Sequence, residues 1–318
     1  MLSRDFVQWA YRLYLDREPE SEAVLDSVDG QFSDTKEMRL HFMGSEEYAK
    51  ANALEGRFCY LGHMPEMDVA LDPDPACQKR IHEHVRATWE RFGNDEPYWS
   101  VYSNERFKKN SLAENLDAFW KSGEGSAQLL VDSLRRNDIA IEGLNSCLEY
   151  GCGVGRVTRP LSKLFASVEA FDISRAHIDI AEKGFRENGI ENVNLHNIAS
   201  LDDLESLPKV DVVFSVIVLQ HNPPPVIATI YRKLLGALNP GGVAFVQIPT
   251  YRKGYSFDPE TYLESNFKEG ELEMHYLPQR AIFEIAFDAG CVVVEVIEDY
   301  FTGRPPNELS NTIMVRKR

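Results

Sequence analysis

The sequence predicts an α/β protein in which a doubly wound parallel sheet follows an all-helical N-terminal extension. Helical spacing of apolar residues dominates up to about Arg136, and from Asn145 short β-rich runs alternate with helical ones. A glycine turn, Gly151-Cys152-Gly153-Val154-Gly155, also stands where the first of those runs passes into a helix.

The 318 residues suffice for one large domain and a smaller one, and a 43% hydrophobic share can fill a core in each. Fifty acidic residues against 34 basic ones leave a formal charge of −16, which repels a phosphate backbone and argues against nucleic acid as the partner. Arg4, Asp5 and Arg12 interrupt the apolar core a signal peptide needs, and no later run approaches the roughly 18 apolar residues of a membrane-spanning helix. A cytoplasmic protein without membrane insertion is expected. Cys59, Cys77, Cys147, Cys152 and Cys291 are odd in number and form no CxxC pair, which indicates neither a disulfide framework nor a metal site.

Residues 1–55 read as a small helical module. Ser3 can cap a helix carrying Phe6, Ala10, Leu13 and Tyr14, which Arg17-Glu18-Pro19-Glu20 ends. A second helix starts near Ser33 or Asp34, and Ser45-Glu46-Glu47-Tyr48 has the form of another cap. The pattern Phe6-Val7…Tyr11…Leu15-Asp16-Arg17-Glu18-Pro19 with Ser45–Tyr48 resembles a short helical module of unknown function found in bacterial proteins, some of them glycan-modifying; an ordinary helical extension is the other reading. Gly56, Gly62, Pro65, Pro73 and Pro75 make 56–76 a linker. Residues 77–144 form a helical lead-in, with Ile81, Val85, Trp89 and Phe92 on one stripe and Leu129, Leu130 and Leu134 on another. Pro97–Tyr102 between them is too aromatic for a plain surface loop.

The domain over 145–318 carries seven candidate strands: Ser146–Tyr150, Val168–Phe171, Val193–His196, Val210–Val216, Val243–Ile248, Val292–Ile297 and Asn311–Val315. Alternate glycines after the first let the backbone approach a ligand, and the helix start offers free N–H groups. A dinucleotide fingerprint needs a small residue at position 156, where this chain has Arg156. Glu149 followed by Gly-x-Gly-x-Gly instead resembles the first motif of class I methyltransferases. Phe171-Asp172-Ile173-Ser174 resembles that family's second motif, and Leu238-Asn239-Pro240-Gly241-Gly242-Val243 the turn into its fifth strand. The resemblance covers 145–250. It implies a Rossmann-like seven-stranded sheet whose final strand is antiparallel, S-adenosyl-L-methionine as cofactor, and methyl transfer as the reaction.

Carried onto this sequence, the resemblance implies that Glu149, Gly151, Cys152, Gly153, Gly155 and Arg156 wrap the methionine part of the cofactor. Asp172 takes the ribose hydroxyls, with helix capping as its plainer role, and Ile173 meets the adenine. The family often has an aspartate after the next strand; here Asn197 and Ile198 stand in that region, so the adenine contact falls to an amide or to backbone. Ser215 and Val216 close the cofactor side.

In open α/β sheets ligands bind beyond the carboxyl ends of the strands, which puts the acceptor beside the segments after the fourth and fifth strands. His221, in the rigid turn Gln220-His221-Asn222-Pro223, is a candidate general base, its unperturbed pKa lying at roughly 6.5; a bond to backbone or to the cofactor is the alternative. A substrate-side insertion at about 250–280 supplies Glu273 and His275, either an oriented base pair or a solvated lead-in to a helix. Tyr98, Trp99, Tyr251, Tyr255 and Gln279 are candidate acceptor contacts, and core packing is the other reading of the aromatics. The expected acceptor is a small molecule or a glycan, methylated on oxygen in bacterial surface-polysaccharide synthesis. A nicotinamide dehydrogenase shares the glycine turn and Asp172, and a noncatalytic cofactor-binding module is the remaining alternative.

Overall fold

The structure, a computed structural model, describes residues 4–28, 30–45, 47–48, 65–265, 272–302 and 308–318. The chain divides into two compact units, Met1–His63 and Met64–Arg318.

In the first unit α1 (Arg4–Leu15), α2 (Glu22–Val28) and α3 (Thr35–Met43) close over Val7, Ala10, Leu25, Phe32, Met38 and Phe42. The buried face of α1 therefore holds Val7 and Ala10, whereas Phe6 and Leu13, expected on that face, are exposed. Helix α2 was not foreseen, because Glu22 and Asp26 dilute its apolar spacing. Asp34 caps α3 by accepting the Glu37 N–H at 2.8 Å. Ser45 Oγ accepts the Tyr48 N–H at 3.0 Å.

In the second unit, the segment read as a linker lies outside the described residues up to position 64. Beyond it β1 (Asp68–Val69) already belongs to the larger unit. Asp74 then accepts the Ala76 and Cys77 N–H groups at 2.9 and 3.1 Å, and with Pro75 it starts α4 (Pro75–Asp95). Helices α5 (Pro97–Val101) and α6 (Leu112–Arg136) complete the lead-in.

Among the described residues seven strands form the main sheet. They are β2 (Ser146–Tyr150), β3 (Ser167–Asp172), β4 (Val193–Asn197), β5 (Val210–Ser215), β6 (Leu238–Arg252), β8 (Cys291–Asp299) and β9 (Glu308–Lys317), in the order β4-β3-β2-β5-β6-β9-β8. All run parallel except β9, which is antiparallel to both its neighbours. Each candidate strand appears, and the antiparallel final strand is the expected one. Helices α7 (Thr158–Leu164), α8 (Arg175–Glu187) and α9 (Pro224–Gly236) connect the parallel strands. Both faces of the sheet are covered, so β6 reads as an unbroken buried run from Val243 to Thr250. The insertion after it contributes β7 (Ser256–Phe257), which pairs with β1, and α10 (Pro259–Glu264); α11 (Gln279–Asp288) leads back to β8. Strand order reverses between β2 and β5, and the crevice beyond their carboxyl ends is where such a fold binds ligands.

Candidate active site

The chain leaves β2 through the glycine turn. Gly151 and Gly153 have φ of 80° and 55°, and a Cβ on either would come within 2.4 Å of a Val218 or Val101 side chain. Only glycine fits both the backbone and the space. Asp172, buried at the end of β3, holds the turn: Oδ2 accepts the Gly153 N–H and Oδ1 the Ser174 N–H, each at 2.8 Å.

Above this floor lies a cleft of about 770 Å³, roofed by Val85 and Trp89 of α4 and by Ser100 and Val101 of α5. Glu149, Gly151, Cys152, Gly153, Arg156, Asp172, Ile173 and Val216, all read from the sequence, line it. Glu149 is 3% exposed, its Oε2 has no hydrogen-bond partner among the described residues, and burial pushes its carboxyl up to about 7. His177 also faces the cleft. Its Nε2 meets Ser100 Oγ at 3.0 Å, and the Ser100 hydroxyl is engaged by the Pro97 carbonyl at 3.2 Å. The other ring nitrogen, Nδ1, lies 3.7 Å from Asp172 Oδ1. Arg156 turns away from the loop it follows: Nη1 donates to Ser122 and Ser126 of α6 at 3.3 and 3.2 Å, with Tyr102 against the guanidinium at 5.1 Å.

A second cleft of about 250 Å³ shares Val85 and Trp89 with the first and is otherwise lined by His84, Thr88, Phe92, His221, Leu272 and Glu273. Glu273 is its hub. Oε1 meets His84 Nε2 at 3.1 Å, while Oε2 accepts from Tyr262 at 2.7 Å and from His275 Nε2 at 2.8 Å. Burial alone raises this carboxyl, but the bonds from His275, His84 and Tyr262 outweigh it and hold Glu273 well below the usual carboxylate range. His275 is held on its other side by the Tyr255 hydroxyl at 2.8 Å. His221 is 9% exposed, and burial pushes its imidazole down to about 4. Its Nδ1 meets the Glu273 carbonyl at 2.8 Å and its Nε2 the Gln220 amide nitrogen at 3.1 Å. With both ring nitrogens engaged, the geometry does not suit His221 to the general-base role expected of it.

Several other residues read from the sequence lie away from both clefts. Gly155 packs beside Phe185, where a Cβ would approach the ring to 2.5 Å. The Asn197 amide is spent on the Asp172 and Ile173 carbonyls at 3.1 and 3.2 Å, Ile198 is core, and Ser215 Oγ donates to the Tyr150 carbonyl at 3.0 Å. Tyr98 and Trp99 point from α5 into the helical lead-in, against Phe119 and Phe92, because the turn of the short helix gives the cleft to Ser100 and Val101. Tyr251 donates to the Pro65 carbonyl at 3.1 Å, and Gln279 to Asn311 at 3.1 Å. Sequence reasoning missed Trp89, His84 and His177. The first sits on the α4 stripe that periodicity marks as packing; the two histidines carried no signal.

The geometry and the chain's similarities agree. Residues 147–242 match the family model described as a methyltransferase domain. Magnesium protoporphyrin IX methyltransferase from Synechocystis PCC 6803, solved with bound SAH, superposes with a TM-score of 0.52 at 18% identity, over 74% of this chain and 100% of that one. The second unit thus has the class I methyltransferase fold. Among curated proteins the chain is 27% identical over 138 residues to a ubiquinone biosynthesis O-methyltransferase of Shewanella pealeana, covering 42% of this chain and 58% of the relative. It is 31% identical over 101 residues to the one of Xanthomonas axonopodis pv. citri, covering 31% and 41%. The match spans less than two thirds of these relatives' length. Among the described residues no helix is long and apolar enough to cross a membrane.

Proposed function

We propose that the protein methylates a hydroxyl of a small-molecule acceptor, with S-adenosylmethionine in the larger cleft and the acceptor in the smaller one. The observation that carries this is that two adjacent clefts share Val85 and Trp89 in their walls, one over the glycine turn, the other around a carboxylate. The larger cleft suits the cofactor on its own chemistry. Asp172 keeps lone pairs for ribose hydroxyls beside its two backbone donors, Glu149 Oε2 and His177 Nδ1 are buried polar atoms awaiting partners, and Gly151 and Gly153 open the floor. When bound, S-adenosylmethionine supplies an electrophilic methyl group on sulfur.

The chain's part is alignment and proton removal. Trp89 and Phe92 line the smaller cleft, and no Lys or Arg does so among the described residues, which favours a neutral acceptor over a phosphate or carboxylate. The hydroxyl proton passes to the imidazole of His84, which Glu273 Oε1 orients through Nε2 at 3.1 Å in the wall of that cleft. Tyr262 and His275 keep Glu273 fixed and ionised for this role. A sugar hydroxyl of a glycan, in bacterial surface-polysaccharide synthesis, is the finer reading. It is supported by the resemblance of the N-terminal helices and by the two aromatic residues, Trp89 and Phe92, that line the smaller cleft.

The test combines calorimetry with a labelled-methyl assay over neutral sugars, phenols, small acids and amines. S-adenosylhomocysteine is expected to bind, and Asp172→Ala to weaken it by about 1–3 kcal/mol through lost charge-assisted hydrogen bonds. Glu273→Gln is expected to lower turnover while leaving that affinity in place. Binding of NAD in place of S-adenosylhomocysteine, or full turnover in Glu273→Gln, would overturn the reading.

A further inference from the structure

Ile217 has a φ of 62°, a left-handed conformation that a β-branched side chain resists. It comes just after β5 and lines the cofactor cleft together with its neighbours Val216 and Val218. Val218 occupies the space a Cβ on Gly151 would take, so the kink sets how the wall after β5 meets the glycine turn. Gln247 holds the kink. This fully buried residue of β6 accepts the Ile217 N–H on Oε1 at 2.9 Å.

That bond fixes which way the Gln247 amide lies, and a chain of donors follows from it. Nε2 donates to Gln220 Oε1 at 3.0 Å and to Ser310 Oγ at 2.8 Å. Gln220, its oxygen taken, presents Nε2 to His221 Nε2 at 3.1 Å, so this ring nitrogen accepts. His221 is thereby neutral and protonated on Nδ1, from which it donates to the Glu273 carbonyl at 2.8 Å. The Gln220 carbonyl accepts the His275 N–H at 2.8 Å as well. The backbone of the insertion that carries Glu273 and His275 is anchored from the sheet core through this chain.

We propose that Gln247 is a positioning residue for methyl transfer, a single buried amide that clamps the Ile217 kink on the cofactor side and, through Gln220 and His221, anchors Glu273 on the acceptor side. Its effect on turnover rests on the methyltransferase reading; the hydrogen-bond chain does not. A residue that merely fills the core would set neither the tautomer of His221 nor the conformation of Ile217.

The experiment reads the imidazole nitrogens of His221 by long-range proton–nitrogen NMR on the protein without cofactor, alongside affinity for S-adenosylhomocysteine and kcat. The wild-type protein is expected to show His221 as one Nδ1–H tautomer. Gln247→Met is expected to abolish that single state and to weaken S-adenosylhomocysteine by about tenfold. Ile217→Gly added to Gln247→Met should recover most of that affinity, because glycine takes the left-handed conformation unaided. Gln220→Met cuts the chain one link further on. It should scramble the tautomer and lower kcat while keeping affinity within about twofold, and it decides the proposal should Gln247→Met fail to fold. A His221 that stays Nδ1–H in both methionine variants, or an Ile217→Gly loss that adds to that of Gln247→Met, overturns the proposal. Tautomer shifts as expected in a protein that methylates no acceptor would sink the methyl-transfer reading and leave the clamp standing.

Discussion

Glu149 and His221 are buried ionisable groups on the walls of adjoining clefts, and burial drives them in opposite directions. Glu149 rises from 4.5 to about 7, so across that interval the folded protein holds a proton the unfolded chain has released. Its contribution is complete below pH 4.5 and is lost as pH rises through about 7. His221 falls from 6.5 to about 4, so the unfolded chain takes up a proton first. Its contribution is complete above pH 6.5 and is lost as pH falls toward 4. The two slopes oppose each other in the wild-type protein and separate in variants. Glu149→Gln is expected to remove the decline toward neutral pH, and His221→Gln the decline toward acid, in urea-unfolding midpoints measured from pH 4 to 8. Variants that keep the wild-type pH profile would show that neither group titrates as its burial dictates.

At the scale of elements, α6 makes the sharpest case. Glycine inside a helix costs about 1 kcal/mol relative to alanine, so propensity alone says that filling either Gly123 or Gly125 stabilises. The surroundings decide otherwise for one of them. A Cβ on Gly123 would stand 2.0 Å from the Arg156 carbonyl oxygen, whereas one on Gly125 meets nothing within 4 Å. Gly125→Ala is expected to gain about 0.5–1 kcal/mol. Gly123→Ala should lose about 1–3 kcal/mol by overpacking and weaken S-adenosylhomocysteine, since it pushes on the glycine turn. Thermal unfolding of the two variants decides it, and stabilisation by both would refute the close approach.

What could be read from the sequence follows the same division. The strands, the glycine turn and Asp172 were legible because each is a local pattern, a β-rich run or a fixed spacing. The wall of the cleft was not, since Tyr98 and Ser100 differ only in the direction in which a five-residue helix aims them. The His84–Glu273 pair joins residues 189 positions apart, and no local spacing encodes such a meeting.

At the scale of the whole molecule, each unit has a core of its own. Val7, Leu25, Phe32 and Phe42 belong to the first unit, while the two clusters packed on the main sheet contain only residues from Cys77 onward. The lining of both clefts likewise lies between His84 and Glu273. A chain of residues 64–318 is therefore expected to unfold in one cooperative transition and to keep its affinity for S-adenosylhomocysteine within about threefold of the full-length protein, as a domain with its own core should. Turnover is the more telling readout. If the helices of residues 1–63 serve to recruit a large acceptor such as a glycan, their removal raises KM for that acceptor and leaves kcat on a small neutral analogue unchanged. Loss of cofactor affinity by tenfold or more on truncation would mean instead that the first unit is needed to complete the site, and the assignment of both clefts to the second unit alone would fail.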